Sequence, residues 1–500
     1  MNQRTDFLFK FITLFVLVIA FSFSSSMQVF AVKDDIPLQF KSSGKTAPDG
    51  STSVESSARA SLFVSEDATA DASVSSQLKN MQQQDNKPEC PPSLMAKCHF
   101  VPAAYALNNP PDKGDYGNYD TANRPYGGFV AQPKTKLPIT TLVIHDTEGS
   151  LQDAIALFQN PATYTSAHYI IDTDGQIYQM VRTKDVAWHA GNWYTNMHSI
   201  GIEHVGHAVS GGAEYTPEMY RSSALLTQYL ANRFNIPQDH AHIIGHDNVQ
   251  GPTQSFVAGM HYDPGPFWNW KLLLKDALPS FNPSNKIVTI TRPFVADNDS
   301  PVTDCSSGTC VTLPNQPTNF VYLRTAPNTS AALLSDSALH PDGSAGTTNI
   351  DDWSATAVYG QQFVVADRKK DWTAIWFGGQ IGWFHNPDQN RNARSSEGTF
   401  ITPRQGLVSI PVYGRAYPEA SAYSGTQVPV QTVVPLNYTI TAGQKYSTNG
   451  KVPTDYYYSW NIDASLPDDH TVVVGKKVYL QIQFNHRIAY VNQDDVTTSH

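Results

Sequence analysis

Gly245-His246-Asp247-Asn248, followed after a gap by His261-Tyr262-Asp263-Pro264-Gly265-Pro266, is the stretch that decides how this chain reads. Upstream, Leu142-Val143-Ile144-His145-Asp146-Thr147 offers a matching apolar run that ends in His-Asp. Ile139–His145 and His242–Ile244 read as short buried strands. His145 and His246 therefore fall at strand carboxyl ends, where open α/β sheets bind their ligands. With Asp263 they supply two imidazoles and a carboxylate from three separate segments. That is the donor set of a catalytic zinc site, three protein ligands with the fourth position left open for water, and it predicts a hydrolase. With 16 histidines in the chain, chance clusters such as His240, His242 and His246 are also expected, so spacing alone leaves the site open.

Working outward, Ile139 to about Phe281 has a mixed α/β pattern. Ser150 caps a helix over Leu151–Gln159, with Asp153 in its first turn. His168–Ile171 and Gln176–Val181 are strand-like and flank Asp174-Gly175, a hairpin signal. Ser199–Val205 is another apolar alternation. Thr216 as N-cap and Pro217 at the first helical position open a helix to about Phe234, with Leu226, Tyr229, Leu230 and Phe234 on one face. Beyond Pro283 the helical period gives way to short strand candidates rich in Val, Thr, Tyr, Trp, Gly and Pro, the signature of small β-barrels. Residues 286–396 and 400–500 rhyme loosely, as two copies of one module would.

Five hundred residues is long for one domain and predicts three or four. Residues 1–31 read as a secretory signal: Arg4 and Lys10, an apolar run from Phe11 to about Phe23, then Val29-Phe30-Ala31. That run is short for a membrane span, and no later stretch resembles one. Residues 32–89, rich in Ser, Ala and Asp, read as a disordered linker or pro-segment, with order beginning near Cys90. The four cysteines, Cys90 with Cys98 and Cys305 with Cys310, make two local disulfides the default in an oxidising compartment. A structural zinc site is the competing reading. A net charge of −10 without a basic block argues against nucleic acid as a partner. Nothing demands more than a monomer.

Six motifs appear in order: Ile144-His145-Asp146-Thr147-Glu148, Ser166-Ala167-His168-Tyr169-Ile170-Ile171, Trp188-His189-Ala190-Gly191, Ser199-Ile200-Gly201-Ile202-Glu203, Gly245-His246-Asp247 and Asp263-Pro264-Gly265-Pro266. Over about residues 135–280 the chain resembles the zinc-dependent N-acetylmuramoyl-L-alanine amidases of the type 2 family, relatives of phage T7 lysozyme and the peptidoglycan recognition proteins. The resemblance implies cleavage of the amide between muramic acid and the first L-alanine of the stem peptide. It also implies one Zn2+ per amidase domain, held by His145, His246 and Asp263. Glu203 falls where those amidases keep a catalytic Glu, and His261 where many keep a Lys. The gap between His246 and Asp263 is longer than in the short intracellular members, by an insertion around Gly251–Gly259.

By this reading Glu203 takes the water proton and His261 stabilises the developing oxyanion. The plainer readings are a strand-edge carboxylate for Glu203 and a ligand-orienting role for His261. His168, Trp188 and His189 are expected to line a groove for the glycan-peptide strand, with core packing as the alternative. His204, His207, His240 and His242 are expected to be exposed bystanders.

The tail resembles bacterial SH3-like modules, which often bind the cell wall in secreted lysins. The first copy rests on Tyr322-Leu323-Arg324-Thr325-Ala326-Pro327 and Gly382-Trp383. The second rests mostly on Arg487–Val491. The alternative is a structural β-domain packed on the amidase. The expected architecture is an α/β amidase domain over 90–283, with a mixed central sheet flanked by helices, then SH3-like barrels over 286–396 and 400–500. The expected protein is secreted and associated with bacterial cell-wall peptidoglycan. The rival readings are a non-catalytic peptidoglycan-binding receptor on the same scaffold and a zinc hydrolase of another amide.

Overall fold

The computed structural model describes residues 87–103, 137–160, 163, 165–274, 278–282, 286–297, 300–458 and 471–500. The expected signal segment, and the linker as far as residue 86, lie outside the described residues.

The α/β part is built on a six-stranded sheet of order β1-β4-β3-β5-β2-β6. Its strands are β1 (Cys98–Phe100), β2 (Thr141–Ile144), β3 (Tyr169–Ile171), β4 (Ile177–Gln179), β5 (Ser199–His204) and β6 (Ile243–Gly245). The β3–β4 hairpin is antiparallel, and the β1–β4, β3–β5, β5–β2 and β2–β6 pairs are parallel. A mixed central sheet is therefore present, as expected. The edge strand β1 is an addition to the sequence reading.

Among the described residues there are five α-helices: α1 (Leu151–Phe158), α2 (Trp193–Met197), α3 (Pro217–Phe234), α4 (Gln254–Val257) and α5 (Trp270–Leu273). The Ser150 and Thr216 side chains accept from Asp153 N and Met219 N. Both caps satisfy amides that the first helical turn leaves unpaired.

Alternation along β2 shows what covers the sheet. Leu142 and Ile144 join the cluster that holds Met219, Leu226 and Leu230 of α3. Val143, on the opposite face, joins Ile244, Trp193, Tyr194, Tyr417, Tyr456, Tyr457 and Tyr490. Farther along that face, Ile170 packs with Leu151, Ala154 and Phe158 of α1. Strands covered on both sides carry continuous apolar runs, and here part of the cover comes from the C-terminal β-rich region.

The two halves of the tail hold five-stranded sheets of the same strand order. The first half comprises β7 (Ile287–Ile290), a β8 (Thr303–Asp304) and β9 (Val311–Thr312) hairpin, β10 (Phe320–Tyr322), β11 (Thr356–Val358), β12 (Gln362–Lys369), β13 (Trp372–Phe377), β14 (Gln380–His385) and β15 (Ala393–Ser396). The second comprises β16 (Thr399–Pro403), β17 (Ser409–Pro411), β18 (Thr439–Thr441), β19 (Tyr446–Val452), β20 (Asp455–Tyr458), β21 (Thr471–Val474), β22 (Tyr479–Gln483), β23 (Ile488–Asn492) and β24 (Val496–Ser499).

Their five-stranded sheets run β14-β13-β12-β7-β15 and β23-β22-β19-β16-β24. In each, the strand that comes first in the chain lies between the last strand and the long second one. The long strands β12 and β19 both shift register, at Val365/Asp367 and Thr448/Gly450. The accessory pairs β10–β11 and β17–β18 also correspond. Shared order and shared bulge positions are what a duplicated module leaves behind.

The two disulfides form as local pairs. Cys90–Cys98 ties the start of the described chain to β1, and Cys305–Cys310 closes the β8–β9 hairpin.

The second module is welded to the α/β part. Trp193 Nε1 donates to Tyr457 O at 3.1 Å, and Tyr194 Oη donates to Pro453 O at 2.5 Å. His198 Nε2 meets Asp455 Oδ1 at 2.8 Å, and Gln481 Nε2 donates to Ala241 O at 2.9 Å.

Candidate metal centre

Because β2 and β6 are parallel neighbours with Ile144 opposite Gly245, the next residues, His145 and His246, leave the sheet side by side. Their ring centroids lie 4.6 Å apart. Asp263 arrives from the loop after α4, held by the hydrogen bond from Asp247 N to its carbonyl at 2.8 Å. Its Oδ2 lies 3.1 Å from His145 Nδ1 and its Oδ1 lies 3.0 Å from His246 Nδ1. All three residues are buried, and their donor atoms lie within 4.8 Å of one another. A tetrahedral zinc shell with bonds of about 2.0–2.2 Å has edges of roughly 3.3–3.6 Å, so these spacings fall only a few tenths short.

Hydrogen-bond direction gives a second test of fit. The Ser199 hydroxyl donates to Thr195 O at 2.7 Å, so it accepts from His189 Nε2–H at 3.1 Å. His189 Nδ1 then carries the lone pair and accepts from His145 Nε2–H at 3.0 Å. That leaves His145 Nδ1 facing the Asp263 carboxylate. In a neutral imidazole this nitrogen carries the lone pair that a metal ion between the two groups would take up. Asp263 Oδ1 is likewise buried without a well-aligned hydrogen bond. The donor set fits a zinc ion.

The surroundings correct several sequence expectations. His189 is buried, against His145. Burial, with His145 and His168 nearby, holds its pKa well below the usual imidazole value. Gly201 is required beside it, since a Cβ there would lie 2.5 Å from His189 Cγ. His168 has no exposed surface: Nδ1 accepts from Gly201 N and Nε2 donates to Asp185 O, both at 3.1 Å. Burial lowers its pKa to about 4. Trp188 is buried too, 5.9 Å from Trp193 between ring centroids. All three are buried, as the core-packing alternative expects.

His204 and His240, expected to be exposed, are also buried. His204 Nδ1 donates to the His145 carbonyl at 2.8 Å and Nε2 accepts from Ser223 at 2.8 Å, which fixes the backbone that presents the ligand.

Glu203 follows Ile202, which pairs with Ile144 across β5 and β2, so it lies beside the His145 segment. Burial, and then the Asp263 carboxylate, raise its pKa well above the usual carboxylate range. His261 is partly exposed, with Nδ1 3.4 Å from Asp263 Oδ1. Its ring stacks on His246 at 4.6 Å. Tyr215, which the sequence reading passed over, donates its hydroxyl to buried Asp146 and lies 3.1 Å from the Pro264 carbonyl. It links the segments that carry His145 and Asp263.

The N-acetylmuramoyl-L-alanine amidase family model matches residues 135–266. The chain is 35% identical over 148 residues to N-acetylmuramoyl-L-alanine amidase A of Achromobacter lyticus, covering 26% of this chain and 78% of that protein. It is 33% identical over 111 residues to the 1,6-anhydro-N-acetylmuramyl-L-alanine amidase AmpD of Citrobacter freundii, covering 21% of this chain and 53% of that protein. Among solved structures, the AmiD amidase from E. coli in complex with anhydro-N-acetylmuramic acid-L-Ala-D-gamma-Glu-L-Lys matches at 24% identity and a TM-score of 0.24. That match covers 31% of this chain and 66% of that one. The matched span contains His145, Glu203, His246 and Asp263, and on it this chain belongs to the N-acetylmuramoyl-L-alanine amidase family.

Proposed function

We propose that this protein hydrolyses peptidoglycan at the amide between N-acetylmuramic acid and the L-alanine of the stem peptide, using one zinc ion held by His145, His246 and Asp263. The observation that carries the proposal is the buried grouping of His145, His246 and Asp263, in which the relay Ser199–His189–His145 turns His145 Nδ1 toward the Asp263 carboxylate. A zinc ion held there would supply Lewis acidity, lowering the pKa of water and polarising the scissile carbonyl.

The protein's own groups do the rest. Glu203, buried beside the ligand strand, accepts the proton from the attacking water and passes it to the leaving amine. His261, the most open of the residues around Asp263, donates through a ring N–H to the oxygen that gains charge. His189, Ser199 and His204 hold His145 in one tautomer and one orientation.

Export to the cell wall is part of the same reading. It is supported by the composition of residues 1–31 and by the two disulfides. The repeated tail sheets are read as SH3-like modules. Wall binding by them would raise local substrate concentration without altering the chemistry. The test compares metal-loaded and chelator-treated protein on intact sacculi and on soluble muropeptides. The reading expects metal-dependent release of stem peptides from sacculi. Cleavage confined to another amide, or sacculus binding with no release, would overturn it.

A further inference from the structure

Two of the three metal ligands sit at the ends of one long loop, His246 at its start and Asp263 at its finish. Between them lie only a one-turn 3-10 segment, His246–Asn248, and the four-residue α4. Inside the loop the hydrogen bond from Asp247 N to Asp263 O, at 2.8 Å, ties the two ends together. Further ties come from outside, from the turn between β22 and β23 of the second β module.

Arg487 is fully buried and reaches both ends of the insertion. Its Nη1 donates to Val249 O at 2.9 Å, and its Nη2 donates to Met260 O at 3.3 Å and His261 O at 3.2 Å. One planar guanidinium thus closes the neck of the loop, which a single-point ammonium cannot do. The ring of Trp353, from the first module, lies 4.4 Å beneath the same guanidinium.

His486 secures the side next to His246. Its Nε2 lies 2.9 Å from Asp247 Oδ2, and its carbonyl accepts from Asn248 Nδ2 at 3.1 Å. Its Nδ1 faces the Thr356 carbonyl of the first module at 3.1 Å. The body of the insertion is seated as well. Val257 is fully buried among Ile410, Val412, Leu436 and Tyr438 of the second module. Gly414 passes so close that a Cβ there would lie 1.9 Å from Gly251 O.

We propose that His486 and Arg487 are positioning residues of the metal centre, and that the second β module is a built-in clamp on the ligand loop as well as a tail. The clamp accounts for how an insertion between His246 and Asp263 is tolerated: its two ends are joined by one side chain. The proposal rests on the zinc reading of the previous subsection.

The test uses the full-length chain. Zinc affinity is measured by chelator competition, and Co2+-substituted protein is examined for its ligand-field spectrum, with near-UV circular dichroism reporting the fold. Wild type must bind zinc; if it does not, the metal reading itself fails. Given wild-type binding, folded R487A is expected to bind zinc about 10–100-fold more weakly with an altered Co2+ spectrum. R487K and H486Q, which keep most of the packing, are expected to show smaller losses of the same kind. Folded variants with wild-type affinity and spectrum would overturn the proposal.

A wild-type measurement covers the case in which the variants do not fold. Coupling is reciprocal, so zinc should slow amide hydrogen exchange at residues 484–490 as well as at 246–263. Protection confined to 246–263 would overturn the clamp.

Discussion

His189 Nδ1 lies 3.0 Å from His145 Nε2, with Ser199 Oγ 3.1 Å from the far ring nitrogen of His189. The relay puts a proton on the His145 nitrogen that faces away from Asp263 and turns the other nitrogen toward that carboxylate. Replacing His189 by Ala should therefore weaken zinc binding by roughly 10–100-fold while leaving KM nearly unchanged in zinc-saturated protein. Chelator competition and steady-state kinetics at saturating zinc measure the two effects. A raised KM with unchanged zinc affinity would instead restore His189 to substrate binding.

Glu203 has no place in the donor set, so Glu203→Gln should keep zinc binding intact. Loss of its proton transfer should lower kcat by about 100- to 10,000-fold. Metal content of the purified variant, measured beside its kcat, separates this role from a structural one.

His198 yields a pH prediction. Its Nδ1 faces the Pro138 carbonyl at 2.9 Å and its Nε2 faces Asp455 at 2.8 Å, two acceptors that together require both ring protons. Burial pulls its pKa down, but the Asp455 charge and hydrogen bond, with the Pro138 carbonyl, outweigh it, and the net shift is upward. A group with a raised folded pKa contributes stability below its unfolded value, near 6.5, and loses it as pH rises through the folded value. The Tm advantage of wild type over D455N should thus be greatest below about pH 6.5 and shrink at alkaline pH. A pH series of thermal melts checks this.

Tyr457 is almost fully buried against Trp193, whose indole donates to the Tyr457 carbonyl. Tyr457→Ala should cost about 3–5 kcal/mol, as other large-to-small core changes do. Urea unfolding of wild type should show α/β and second-module signals lost in one transition. Two separated transitions would mean that the module is an independent appendage.

The α/β sheet and the candidate grouping of His145, His246 and Asp263 were legible because strand period and helix caps are local signals and the motifs around these residues resemble a known family's. His204 was legible too, and was misread. Ile200, Ile202 and His204 alternate along β5, and period 2 already placed all three on one face. The role of His189 was hidden because sequence does not show which side of a ligand a neighbouring ring occupies. His486 and Arg487 were hidden for a stronger reason. They meet partners more than 200 positions away, and no periodicity reports a contact of that range. The likeness of the two tail halves showed only as a loose rhyme in sequence, but shows in the shared order of their five-stranded sheets.

The most direct test of the central claim is mass spectrometry of purified peptidoglycan digested by the zinc-loaded protein. The account predicts free stem peptides beginning with L-alanine and glycan strands left uncut, with release abolished in Asp263→Ala and in Glu203→Gln. Products cut within the glycan or within the peptide, or identical release by both variants, would contradict it.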